Sequence, residues 1–139
     1  MAQTKKRVGV VLSGCGFLDG AEIHEATLTM LFLARAGAAV TAMAPSQDQM
    51  HVVDHVRGEP AAGERRNVLR EAARIARGQI ADVAQVKAAD LDALILPGGY
   101  GAAKNLCSFA VDGKDMKVNP DVARLVREMS LGKKPVGFI

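Results

Sequence analysis

The sequence predicts an α/β domain, doubly wound, with a mostly parallel sheet and helices on both faces. Two observations carry that class. Short apolar runs recur at 7–12, 40–44, 92–96 and 135–139, and the first is nearly continuous and β-branched, as in a strand covered on both faces. Between the runs lie segments whose apolar residues return at helical spacing, and strands that alternate with helices build parallel sheets.

The elements follow in order. Residues 7–12 (Arg-Val-Gly-Val-Val-Leu) are the first strand, ended by the turn Ser13-Gly14-Cys15-Gly16. Residues 21–36 read as a helix apolar over most of its circumference, through Ile23, Ala26, Leu28, Met30, Leu31, Leu33 and Ala34, with Gly37 as its C-terminal stop. Residues 40–44 form a second strand ended by Pro45-Ser46. The pair makes a β-α-β unit, which implies a right-handed crossover. Val52-Val53 suggests a short strand in a hairpin-like excursion, and 58–63 is rich in turn residues. Residues 65–77 form an amphipathic helix capped by Gly78. Residues 88–91 make a helical turn, and 92–96 is a core strand that runs into Pro97-Gly98-Gly99. A short helix is expected over Ala102 to Phe109, then a loop at 112–115. Asn119 suits an N-cap and Pro120 the first helical position, with Val122, Leu125, Val126 and Met129 following on one face as far as Gly132. Residues 135–139 begin another buried strand.

Composition narrows the classes. The 139 residues fit one domain, with 49% hydrophobic and 24% charged residues in the balance of a globular protein. The net charge of +3 is dispersed, and its densest run, Lys5-Lys6-Arg7, reads as a solvated end, so no nucleic-acid partner is expected. Apolar runs are too short for a signal peptide or a bilayer span, so no membrane partner is expected either. Cys15 and Cys107 form neither a metal pattern nor a disulfide framework, which points to a reducing, cytoplasmic setting.

An open parallel sheet binds ligands beyond the carboxyl ends of its strands. That directs attention to residues 13–25, 97–103 and whatever follows Ile139. In Pro97-Gly98-Gly99-Tyr100-Gly101, glycine amides unobstructed by side chains can bind an anion, although a tight strand-to-helix turn would also call for glycine. Glu22 and Glu25, three apart at the start of the first helix, share a face. Carboxylates suit a helix N-terminus, yet one aimed at the sheet's end could hold a proton for a thiolate. Cys15, near a helix N-terminus, is a candidate nucleophile by spacing, ranked below a cysteine beyond Ile139. Cys107 reads as a buried, inert thiol. His51 and His55 lack a third ligand spaced for zinc, so no metal is expected. Gly14, Gly16 and Gly20 miss the dinucleotide spacing by one residue, because Asp19 stands where the third glycine belongs, and no cofactor is expected.

Three long motifs carry a resemblance. The run from Val11 to Glu25 resembles the opening signature of the ElbB-type glyoxalases and their mitochondrial relatives, also described as isoprenoid biosynthesis proteins with an amidotransferase-like domain. The run from Arg66 to Gly78 resembles that family's middle helix, and Pro97 to Leu106 its Gly-Gly turn. The family lies within the class I glutamine-amidotransferase-like superfamily, which includes the Parkinson-associated deglycase and the PfpI proteases. The resemblance implies a flavodoxin-like fold and a homodimer. It also implies a cysteine nucleophile on an elbow directly after the strand ending at Ile139, which would make 1–139 a single domain incomplete at its C-terminus.

By the same resemblance Glu25 is the helix glutamate that pairs with the nucleophile, with Glu22 as second choice. Gly98 and Gly99 hold the oxyanion, and Cys15, Gly14 and Tyr100 lie near the pocket. The implied activity is a cofactor-independent glyoxalase that turns a small aldehyde, glyoxal, into glycolate through the thiolate, or a deglycase acting on glycation adducts. Glu25 would be the general acid/base, kept protonated by burial behind Phe17, Leu18 and Tyr100. Two other classes stand beside it: a redox-responsive regulatory or chaperone-like dimer, and a glutamine amidotransferase subunit.

Overall fold

The computed structural model describes residues 4–139. Its first strand, β1 (Arg7–Val11), is buried from Val8 onward and takes the middle of a five-stranded sheet. Helix α1 (Ile23–Arg35) leads to β2 (Ala39–Ala44), which lies parallel to β1 with Val8 opposite Val40. Gly37, at φ 77°, follows the end of α1, where a left-handed residue lets the chain turn back. A two-residue hairpin, β3 (Val53–Asp54) and β4 (Glu59–Pro60), stands apart from the main sheet. Helix α2 (Val68–Ile75) starts at Asn67, whose side chain accepts from the Arg70 amide, and is followed by the edge strand β5 (Ala81–Asp82). Strand β6 (Ala93–Leu96) pairs with the other side of β1.

Two short helices, α3 (Tyr100–Lys104) and α4 (Phe109–Asp112), precede α5 (Pro120–Leu131). The Asn119 side chain accepts from the Asp121 and Val122 amides, so the cap and the proline sit where the sequence suggests. Strand β7 (Val136–Phe138) closes the described sheet, whose order is β5-β2-β1-β6-β7 with every neighbouring pair parallel.

Alternate residues of β1 feed the two cores. Val10 and Leu12 join Ala26, Ala42, Val68 and Ala72 on the face covered by α1 and α2. Val11 joins Met43, Leu94, Val122, Leu125 and Met129 on the face covered by α5. The sheet is therefore covered on both faces, the doubly wound arrangement that the strand composition predicts. No helix among the described residues is long and apolar enough to cross a membrane.

Three local expectations change. The helix expected over Ala102 to Phe109 is broken between α3 and α4, because Asn105 turns inward. It is 2% exposed, with its amide nitrogen donating to the Ser13 and Asp19 carbonyls and its oxygen accepting from the Met50 amide. The edge strand β5 has no counterpart among the expected elements: two residues are too few to show a period. The sequence also makes α1 apolar nearly all round, yet Leu28, Leu31 and Phe32 are exposed.

Candidate functional site

The carboxyl ends of β1, β6 and β7 open onto one edge, where three pieces of backbone meet. They are the loop 13–22, the turn 97–101 and the end of the chain at Ile139. Four backbone hydrogen bonds join turn to loop or close the turn on itself: Glu22 N–H to Gly98 O at 2.9 Å, Tyr100 N–H to Phe17 O at 2.8 Å, Gly101 N–H to Gly20 O at 2.9 Å, and Asn105 N–H to Gly101 O at 2.7 Å. The glycines are what permit this approach. A Cβ on Gly101 would stand 2.5 Å from the Gly20 backbone, and one on Gly99 would overlap the Glu22 amide nitrogen.

Glu25 reaches this junction from the first turn of α1. Its Oε2 accepts the Gly98 N–H at 2.9 Å. The Ile139 carbonyl lies on the same side of Gly98, since a Cβ there would stand 2.5 Å from Glu25 Oε2 and 2.7 Å from Ile139 O. The structure thus brings Glu25, Gly98 and the end of the β7 strand together. It also engages one of the two amides expected to hold an oxyanion: the Gly98 N–H already serves the Glu25 carboxylate, while the Gly99 N–H meets no acceptor among the described residues.

Glu22 takes a different part. It is the N-cap of α1, its Oε2 accepting the Glu25 N–H at 2.8 Å and its Oε1 lying 3.1 Å from His24 Nδ1. The Glu25 backbone bond first, and the His24 bond second, lower its pKa, so it stays ionised. A carboxylate so engaged is a helix cap in the first place.

Cys15 departs from expectation. Burial raises its thiol pKa, the Glu71 carboxylate on α2 adds to the rise, and Arg74 offsets part of it. The acidified thiol expected from a helix N-terminus is therefore absent: the Gly14-Cys15-Gly16 turn carries the side chain toward the charges of α2. Gly14 faces Gly20, Gln49 and Asn105 and so supports the loop from behind. Cys107, read as a buried thiol, is half-buried and its Sγ contacts the Ala102 carbonyl at 3.4 Å.

The aromatic screen expected over Glu25 is partial. Tyr100 is 56% exposed, its ring 5.6 Å below the Lys104 ammonium, which itself donates to the Leu18 carbonyl. Phe17 is 49% exposed and leans edge-on against His55, ring centres 5.4 Å apart. An apolar hollow of about 750 Å³ opens beside the edge, between β7 and α5, lined by Leu96, Pro97, Ala102, Val126, Phe138 and Ile139 among others.

Three supporting residues escape a reading of the sequence. Asp19, 3% exposed, accepts the Val53 N–H at 2.8 Å. His55 lies 3.8 Å from Asp19 and takes the Leu18 N–H on Nε2 at 3.3 Å, which leaves Nδ1–H to donate to the Val53 carbonyl at 3.1 Å. Asn105 holds the loop from below. The spacing of His51 and His55 does not point to Asp19, and only the hairpin fold brings His55 beside it. A buried Asp in a Gly-rich turn is the one signal that the sequence offers.

No family model matches the chain. It is 58% identical over 134 residues to the ES1 protein homolog, mitochondrial, of Rattus norvegicus, covering 96% of this chain and 50% of that protein. It is 58% identical over 132 residues to glutamine amidotransferase-like class 1 domain-containing protein 3, mitochondrial, of Homo sapiens, covering 95% and 49%. The chain thus spans about half the length of the curated relatives it matches. Among solved structures, an isoprenoid biosynthesis protein with amidotransferase-like domain from Ehrlichia chaffeensis superposes with a TM-score of 0.90 at 43% identity, over 95% of this chain and 62% of that one. A DJ-1/ThiJ/PfpI-like neighbour at 19% identity shows the fold alone. The relatives' names overturn the cytoplasmic placement expected from cysteine usage, since both are mitochondrial proteins. A reducing compartment is not confined to the cytosol, so two unpaired cysteines do not distinguish the two.

Proposed function

We propose, for a chain homologous to the ES1 and amidotransferase-like class 1 proteins and sharing the fold of the DJ-1/ThiJ/PfpI group, a part in a cofactor-independent glyoxalase. The observation that carries this reading is the 2.9 Å hydrogen bond from the Gly98 N–H to Glu25, made beside the Ile139 carbonyl. It holds a carboxyl group at the edge where an open α/β sheet binds its ligand. The thiol is supplied by a cysteine following the β7 strand, the protein acts as a homodimer, and its setting is the mitochondrion of its relatives.

The chemistry is redox-neutral. The thiolate adds to one aldehyde carbon of glyoxal, and the π electrons pass to the oxygen, where the Gly99 N–H meets the developing charge. Glu25 takes the C–H proton of the hemithioacetal and returns one to the neighbouring carbon through an enediol. The first carbon is thereby oxidised to a thioester and the second reduced to an alcohol. Water cleaves the thioester, releasing glycolate and the thiol.

Glu25→Gln in the full-length protein keeps an oxygen for the Gly98 bond and removes the proton carrier. Glycolate formation from glyoxal should fall by about 10²–10⁴-fold with folding preserved. An unchanged rate overturns the reading and leaves Glu25 as a tie between α1 and the turn. Glu22→Gln should cost less, because that side chain serves the helix cap. A second reading, glutamine hydrolysis, is favoured by the name of the human relative. Ammonia released from glutamine, without glycolate from glyoxal, would select it.

A further inference from the structure

We propose that His55, in its neutral form, is a positioning residue for the candidate site: it holds the loop 13–22 against the turn 97–101 until protonation turns its imidazole to Asp19. The link to catalysis rests on the glyoxalase reading above; the latch between hairpin and loop does not.

The loop presents its carbonyls to the turn and to α3. Phe17 O accepts the Tyr100 N–H, Gly20 O the Gly101 N–H, and Leu18 O the Lys104 ammonium at 2.8 Å. Several of its amides donate inside the loop: Asp19 and Gly20 to the Gly16 carbonyl, and Gly16 to Ala21 O. The Leu18 N–H instead leaves the loop and donates to His55 Nε2 at 3.3 Å. The Phe17-Leu18 segment is thus tied to the hairpin on one side and to the turn on the other. Tyr100 directly follows Gly99, whose N–H meets no acceptor among the described residues. A shift at Leu18 therefore reaches the free amide of the site through Phe17 and Tyr100.

The imidazole is set as an acceptor. Its Nδ1–H donates to the Val53 carbonyl at 3.1 Å, which leaves the Nε2 lone pair for Leu18. Gly16 makes room for the ring, since a Cβ there would stand 2.7 Å from His55 Cε1 and 2.8 Å from both Nε2 and Asp19 Oδ1. A proton on Nε2 removes the lone pair, so the Leu18 bond breaks and Nε2–H needs an acceptor of its own. Asp19 supplies one. It is 3% exposed, and its Oδ2 is held by the Val53 N–H at 2.8 Å. Its Oδ1 lies 3.8 Å from Nε2 and accepts no hydrogen bond among the described residues. A movement of about 1 Å makes a charge-assisted bond there. Phe17, packed edge-on against the ring, meets the group that moves.

The surroundings leave Asp19 as the partner. Among the described residues no other carboxylate lies within 4 Å of the ring nitrogens. In β3, Asp54 accepts from the Val56 and Arg57 amides and lies 3.8 Å from the Arg57 guanidinium. Glu59, opposite Asp54 on β4, is exposed. From α3, Lys104 is engaged by the Leu18 carbonyl and the Tyr100 ring. The Cys15 thiol, pushed up by burial, stays uncharged where histidine titrates.

Amide NMR of the full-length protein between about pH 8 and pH 5 tests the latch without a variant. The Leu18 amide and the His55 ring signals should move together, and Leu18 protection from hydrogen exchange should fall by at least about 10-fold as they do. In His55→Gln the side-chain oxygen accepts the Leu18 N–H and gains no proton, so the Leu18 signal should hold still. A Leu18 signal indifferent to His55 protonation overturns the latch. Glycolate formation from glyoxal tests the link to the site. At about pH 8, His55→Ala should lower kcat by about 10-fold with KM little changed, and His55→Gln should recover most of the loss. The unaltered protein should show one acid limb in kcat that the Gln variant lacks, a comparison that does not depend on the Ala variant folding. Identical pH profiles overturn the positioning role. An unaltered protein that makes no glycolate overturns the glyoxalase reading and the positioning role with it, while the Leu18 signal still decides the latch.

Discussion

At Gly99 the backbone holds φ 103° and ψ 157°, a region open in practice to glycine, and the space that a side chain would need is filled by the Glu22 amide and the Gly20 carbonyl. Gly37 also has a positive φ, 77°, but nothing lies within 4 Å of where its Cβ would stand. The two glycines separate conformational strain from close approach. Gly37→Ala should cost about 1–2 kcal/mol, the penalty of a left-handed Cβ. Gly99→Ala should cost more, because backbone on two sides must move as well, and it should disturb the bond between Gly98 and Glu25. Denaturant unfolding of the two variants checks the order, and equal losses would remove the packing argument. In the sequence, Gly98-Gly99 admits either an anion site or a tight turn. In the structure Gly98 donates its N–H to Glu25, and Gly99 carries the positive φ of the turn.

Among the elements, α5 shows how well local signals survive. Asn119, Pro120 and the apolar spacing after them give its start, its first turn and its buried face, and Val122, Leu125 and Met129 are all buried. The Asn119 side chain also donates to Gln47 at 2.7 Å, a link to the loop after β2 that spacing does not reveal. Asn119→Ala should therefore destabilise by about 1–2 kcal/mol, at the upper end for a cap. Asn119→Asp, which keeps the acceptor for the Asp121 and Val122 amides but loses the donor to Gln47, should fall between. Thermal unfolding of the pair measures this, and an Asp variant as weak as Ala would make Gln47 the larger contributor. The interrupted helix after Lys104 is the opposite case. Ala102 to Phe109 has an acceptable helical composition, and Asn105 could sit in a helix. It leaves the helix because carbonyls from residues far away in sequence, Ser13 and Asp19, need a donor in the interior.

For the molecule as a whole, the exposed pair that joins the starts of its two central strands should contribute to its response to acid. Asp92 just before β6 accepts the Arg7 backbone N–H at 2.8 Å and lies 3.0 Å from the Arg7 guanidinium. The Arg7 side-chain bond first, and the backbone bond second, lower the Asp92 pKa from 3.8 to about 2. A carboxylate whose folded pKa is depressed stabilises the fold above its unfolded pKa and loses that contribution as pH falls through the folded value. Stability should therefore drop between about pH 4 and pH 2, and Asp92→Asn should flatten that part of the profile. Denaturant midpoints taken across this range check it, and parallel profiles would remove Asp92 from the account. The strands, the amphipathic helices and the parallel class were legible in the sequence, because burial on two faces and a helical period are local constraints written into neighbouring residues. So were Glu25 and the Gly-Gly turn as candidates, through a resemblance carried by long motifs. Tertiary structure alone decided that Gly98 donates to Glu25, that burial raises rather than lowers the Cys15 pKa, that Asp19, His55 and Asn105 brace the loop, and that one stripe of α1 faces outward. Each of these depends on groups distant in sequence coming within hydrogen-bonding, electrostatic or packing range, and no local period records such a meeting.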